Sequence, residues 1–208
     1  MSTHDPAASS PSPQAPLWNV ANILTMSRLA MVPLFVWFMF LDGTWWRLAA
    51  FGVFVVAAIT DRIDGELARR HNLVTDFGKI VDPIADKALT GAALIVLSIQ
   101  GDLWWWVTIA ILVREWGITV LRVAVLRYGV MPAGSGGKLK TVLQIVAISI
   151  YLFPLQLLPF TGFLTWIAHG VMAAALALTL WTGLTYVLDA VRLVRAKDGA
   201  NGQDGDHK

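Results

Sequence analysis

The 208-residue chain contains no cysteine, which excludes a disulfide framework and any thiolate metal site. Charge is scarce as well: Asp, Glu, Lys and Arg make up 14% of the residues against 56% hydrophobic ones, and the mean hydropathy is +0.62. That balance belongs to a membrane protein rather than a water-soluble one. No Lys or Arg precedes Arg28, so the basic start of a secretory signal peptide is missing and the first apolar span is expected to be retained. Repeats of the solenoid or inverted-transporter kind are absent, because the charged residues gather in one half of the chain. His71 reads as a solvated loop residue and His169 as a lone polar group inside the bundle; neither has ligand spacing.

Long apolar runs, by contrast, are plentiful. Roughly 20 apolar residues cross a bilayer, and six stretches qualify, at about 26–42, 45–62, 82–101, 103–127, 140–160 and 164–188. Ahead of the first, PLWNVANILTMSR reads as an N-terminal interfacial amphipathic helix with Leu17, Trp18, Ile23 and Leu24 towards lipid. Pro33 is expected to kink or start the crossing part. The expected fold class is an all-α integral membrane protein of six transmembrane helices. Its membrane domain occupies residues 17–195, between disordered tails at 1–16 (rich in Ser, Pro and Ala) and 196–208 (rich in Gly, Asp and Lys). If the segment between the second and third spans is cytoplasmic, fifteen of the 16 Lys and Arg residues fall inside and only Arg47 outside. Both termini are then cytoplasmic. Trp45, Trp46, Trp104, Trp105 and Trp106 cluster at the outer ends as an aromatic belt.

Charge interrupts this apolar pattern most heavily between Asp61 and Asp86, in DRIDGELARRHNLVTDFGKIVDPIAD. Helical periodicity puts Asp61 and Asp64 on one face, and Gly78, Asp82 and Asp86 on another. In a hairpin about Leu73, Asp64 and Asp82 are each nine residues from the turn, while Asp61 is twelve away and Asp86 thirteen. Four carboxylates at matching depths repel one another unless cations sit among them. Oxygen donors without His or Cys suit hard ions, Mg²⁺ first and Mn²⁺ or Ca²⁺ next. The small residues Gly65, Ala68 and Gly78 point to backbone lying close to a ligand.

Written as D-x-x-D-G-x-x-A-R-(eight)-G-x-x-x-D-x-x-x-D, all eight fixed positions are filled. This resembles the signature of the CDP-alcohol phosphotransferases, integral membrane enzymes of phospholipid synthesis. The resemblance implies that Asp61, Asp64, Asp82 and Asp86 hold two Mg²⁺ or Mn²⁺ ions and that Asp86 is also the general base. It further implies that Gly65, Ala68, Arg69 and Gly78, with Asn22, Asp61 and Asp64, line the CDP moiety. An alcohol hydroxyl then attacks phosphorus and CMP departs.

Three further patterns look like the branch of that family whose acceptor is glycerol 3-phosphate: N-x-x-T-x-x-R at Asn22, Thr25 and Arg28, Arg-Glu at 114–115, and G-K-x-K-T-x-x-Q from Gly137 to Gln144. Arg114 and Arg122 lie along one side of the fourth span and need anions, which Glu115 supplies only in part. Lys138 and Lys140 stand at a helix start, where ammonium groups and free amides converge on an anion. The expected acceptor-phosphate set is thus Thr25, Arg28, Arg114, Arg122, Lys138 and Lys140. The expected substrates are CDP-diacylglycerol and glycerol 3-phosphate, giving phosphatidylglycerophosphate and CMP. The setting is the bacterial inner membrane, with lipid and a second copy of the chain as partners and no nucleic acid. Inositol phosphate or phosphatidylglycerol is the alternative acceptor. A divalent-cation transporter is the remote one, disfavoured because spans five and six offer no continuous polar path.

Overall fold

The computed structural model describes the backbone of residues 20–71, 76–125 and 136–204, and side chains essentially over 26–60, 87–125 and 139–195. These residues form six α-helices and no strand: α1 Val20–Met39, α2 Thr44–His71, α3 Asp76–Ile99, α4 Trp105–Val125, α5 Gly136–Leu152 and α6 Thr161–Asp204. A short 3-10 turn, Leu155–Leu157, precedes α6.

Turn chemistry decides where the helices stop. After α1 the chain reverses through Gly43, whose φ of +118° is open to glycine and strained for other residues. After α3, Gly101 takes φ +80°, its N–H donates to the Ser98 carbonyl at 3.2 Å, and the Asp102 N–H donates to Leu97 at 2.9 Å. These two bonds make a Schellman cap. Pro154 ends α5 near Leu152, short of the expected boundary at 160, because its ring cannot continue the helix.

Two other boundaries differ from expectation. The short interfacial helix is not separate: α1 runs unbroken from Val20 through Pro33 to Met39, since nothing between Val20 and Val32 breaks a helix. Leu17 and Trp18 lie outside the described residues. At the other end, α6 continues past 188 and through residues 196–204, which composition assigns to a tail; Asp189–Asp198 contains neither Gly nor Pro to stop it.

One end of the bundle collects the start of α2, the α3–α4 connection and the end of α5. There Arg47 Nη2 donates to Asp102 Oδ2 at 2.5 Å and to the Tyr151 carbonyl at 2.9 Å, and its Nε donates to the Leu152 carbonyl at 3.3 Å. Gln100 Nε2 donates to the Met39 carbonyl at 2.5 Å, which brings in the end of α1. Successive helices therefore alternate in direction. Between them lies a core of Phe35, Phe54, Leu94, Leu97, Ile111, Ile148 and Met172, crossed by a buried hydroxyl pair, Ser98 to Thr108 at 2.7 Å.

The outward faces stay apolar. Val113, Val120 and Val123 on α4 and Trp181 on α6 are each about two-thirds exposed, an arrangement that suits lipid and not water. Among the described residues, one helix, Thr161–Arg195, has the length and hydropathy of a crossing; Met26–Met39, Thr44–Thr60, Lys87–Ile99 and Leu139–Leu152 are shorter apolar helices. Trp45, Trp104 and Trp106 are exposed at the Arg47 end, beside Trp166.

Candidate active site

The acidic signature lies on two helices rather than in a loop. Asp61, Asp64, Gly65, Ala68 and Arg69 belong to α2, and Gly78, Asp82 and Asp86 to α3. Asp61 is ten residues from the end of α2 and Asp86 ten from the start of α3, about 15 Å each at the helical rise. Asp64 and Asp82 are seven and six residues in, about 10 Å. These are positions along each helix; Leu73 and the side chains of all these residues lie outside the described ones. Asn22 and Thr25 on α1 and Lys138 on α5 are likewise placed by backbone alone.

Arg28, on the same helix as Asn22 and Thr25, is buried, with 5% of its surface exposed. Three members of the expected basic set come with full side chains from α4 and α5. Lys140 is buried and forms an ion pair with Glu115 Oε1. Arg114 Nη1 donates to that same oxygen at 3.3 Å, and its Nη2 donates to Thr182 Oγ1 on α6 at 2.7 Å. Arg122 is set apart, two turns along α4, where it is exposed and touches Tyr186 Oη at 3.4 Å with its guanidinium 5.6 Å from the ring centre.

Glu115 is therefore a hub. Its carboxylate takes both Lys140 and Arg114, and its backbone carbonyl accepts from Lys87 Nζ at 2.9 Å and from Thr119 Oγ1 at 2.9 Å. Lys87 also bonds Thr119 and lies 5.6 Å over the Trp116 ring. Sequence reading did not single out Lys87, although an ammonium directly after Asp86 in an apolar run has to find oxygen somewhere. Thr182 and Gly183 carried no such signal, being two small residues in a long apolar helix.

Chemically, the Glu115 carboxylate is shared by Lys140 and Arg114, and Arg114 Nε is buried and has no acceptor among the described residues. A buried donor in that condition favours an arriving anion. Among the described side chains no group of three or more His, Cys, Asp or Glu gathers; the side chains of the four signature aspartates are outside that set.

A helical bundle with an apolar exterior, a charged cluster between α3, α4, α5 and α6, and a sequence signature of four aspartates carried on α2 and α3 is the setting of a membrane-embedded enzyme acting on phosphate groups. A model of the CDP-alcohol phosphatidyltransferase family matches residues 18–181, and the chain belongs to that family. The relatives it resembles include a probable phosphatidylglycerophosphate synthase of Mycobacterium tuberculosis, 53% identical over 182 residues that cover 86% of this chain and 85% of the relative. The CDP-diacylglycerol–glycerol-3-phosphate 3-phosphatidyltransferase of Bacillus subtilis is 39% identical over 73% of this chain and 88% of its own length. The enzyme of the same name from Escherichia coli K12 is 35% identical over 82% and 93%.

Proposed function

We propose that this protein transfers the phosphatidyl group of CDP-diacylglycerol to glycerol 3-phosphate. The single observation that carries the reading is the eight-position aspartate signature, complete in sequence and set at matched depths on α2 and α3. The names of the relatives and the basic cluster around Arg114 and Lys140 support the choice of acceptor.

In this mechanism Asp61, Asp64, Asp82 and Asp86 hold two divalent ions, Mg²⁺ or Mn²⁺, and their oxygen-only chemistry fits such ions. Two such ions, held by these carboxylates, would supply neutralisation of the charge on the diphosphate and on the reacting oxygens. Gly65, Ala68, Arg69, Gly78 and Asn22 receive the CDP moiety. The acceptor's hydroxyl oxygen forms a bond to the phosphatidyl phosphorus, the bond from that phosphorus to CMP breaks, and the acceptor proton passes to the Asp86 carboxylate. Thr25, Arg28, Arg114, Arg122, Lys138 and Lys140 hold the acceptor's phosphate, where Arg offers a bidentate fork and Lys a point charge.

The six helices cross a bacterial inner membrane, with the Arg47 end outside and both termini and the aspartates on the cytoplasmic side; two copies form a homodimer. Because the natural chain has no cysteine, a single one introduced as Asp42→Cys should react with an impermeant maleimide added outside intact cells, and Ser9→Cys should not. The function is tested by CMP release from CDP-diacylglycerol with glycerol 3-phosphate, myo-inositol phosphate or phosphatidylglycerol in turn. Turnover with glycerol 3-phosphate alone is expected, and faster turnover with either of the others overturns the acceptor assignment.

A further inference from the structure

Arg114 and Glu115 are neighbours in a helix, and side chains one residue apart diverge by about 100°. Glu115 alone therefore does not set where the Arg114 guanidinium points; α6 does. Thr182, buried at 6% exposure, donates its own hydroxyl hydrogen to the Leu178 carbonyl at 2.8 Å, so a lone pair is left to accept from Arg114 Nη2 at 2.7 Å. Beside it, Gly183 lets the arginine stem lie directly against the helix backbone: a Cβ there would sit 3.0 Å from Arg114 Cγ and 3.4 Å from Nε. Hydroxyl and missing side chain together hold one rotamer, in which Nη1 and Nη2 are occupied and the buried Nε has no acceptor among the described residues.

We propose that Thr182 and Gly183 are positioning residues that aim Arg114 at the phosphate of the acceptor. The proposal rests on the acceptor reading above and deepens it by extending the acceptor site to α6, just past residue 181 where the family match ends. Neither residue touches substrate; both act through Arg114.

The test uses the full-length enzyme in lipid nanodiscs, with KM for glycerol 3-phosphate and for CDP-diacylglycerol measured by CMP release. Thr182→Val removes the hydroxyl at constant shape and should raise the acceptor KM about tenfold, the loss of one charge-assisted bond, with the donor KM unchanged within about twofold. Gly183→Ala should act in the same direction by displacing the arginine stem, and Thr182→Ser should restore the acceptor KM. Combined with Arg114→Ala, Thr182→Val should add nothing, because the residue it serves is gone. An acceptor KM raised by Arg114→Ala but untouched by Thr182→Val and Gly183→Ala overturns the proposal and leaves the acceptor reading standing. Equal losses for donor and acceptor overturn it too, since they mark a merely structural role. If Arg114→Ala itself leaves the acceptor KM unchanged, the assignment of Arg114 falls and the proposal with it.

Discussion

Asp61 and Asp82 sit on different helices, and a carboxylate embedded in apolar sequence persists only with a compensating partner. Asp61→Asn or Asp82→Asn should therefore abolish CMP release while the protein still accumulates in the membrane, and excess chelator should do the same to the natural enzyme. Full activity in any of these three cases counts decisively against the metal role. Asp86→Asn should lower kcat by a factor on the order of 10²–10⁴, the usual contribution of a general base, with CDP-diacylglycerol binding retained; lost binding and a near-normal kcat would make Asp86 a ligand only. On the basic side the structure separates clean probes from confounded ones. Arg122 is exposed and, among the described residues, touches Tyr186, so Arg122→Ala removes charge without opening the core and should raise the KM for glycerol 3-phosphate roughly ten- to a hundredfold. Lys140→Ala differs, because it withdraws a buried partner from Glu115. Breaking such a pair costs on the order of 3–5 kcal/mol, and less folded protein should be recovered from membranes.

Between elements, the tie that matters most to the aspartates is the one from α3 to α4. Lys87 follows Asp86 directly and reaches the Glu115 carbonyl and Thr119 a full helix away. Lys87→Met keeps the apolar stem and deletes the ammonium, so the turn of α3 that carries Asp86 loses its anchor. A small displacement of a reacting group is expensive, and kcat at saturating substrates should fall about tenfold or more; an unchanged kcat would show that α3 is held by packing alone. Much of this level was legible in the sequence. Gly101 closes the third apolar stretch and Arg114 next to Glu115 announces an internal pair, whereas Pro154, inside a stretch expected to run to 160, ends α5 at Leu152 unannounced. The sharing of Glu115 was not legible, since Lys140 lies 25 residues on and Lys87 28 residues back, and local spacing says nothing about contacts that span three helices. The length of α6 was hidden for another reason: composition weighs Gly and Asp near the terminus as tail, while the helix runs on through Asp189–Asp198, which has neither Gly nor Pro, and past Gly199 and Gly202 as well.

At the scale of the whole molecule the two ends of the bundle have different work. The signature aspartates and the C-terminus of α4 lie towards one end; at the other, Arg47 gathers Asp102, Tyr151 and Leu152. Arg47→Met should lower the midpoint of thermal unfolding in detergent, by the equivalent of about 1–3 kcal/mol for lost bonds to a charged group, and leave kcat at low temperature intact. A loss of kcat as large as the loss of stability would mean that the far end is coupled to the chemistry. The same contact also orders events during synthesis. Asp102 is 55 residues downstream of Arg47, and the two carbonyls 104 and 105, so on the orientation proposed here a lone cation is translocated with the first hairpin before any of its acceptors has been made. Asp102, in the α3–α4 connection, is the first of those acceptors to be made and the two α5 carbonyls are the last, so the full set of bonds closes only when α5 is in place.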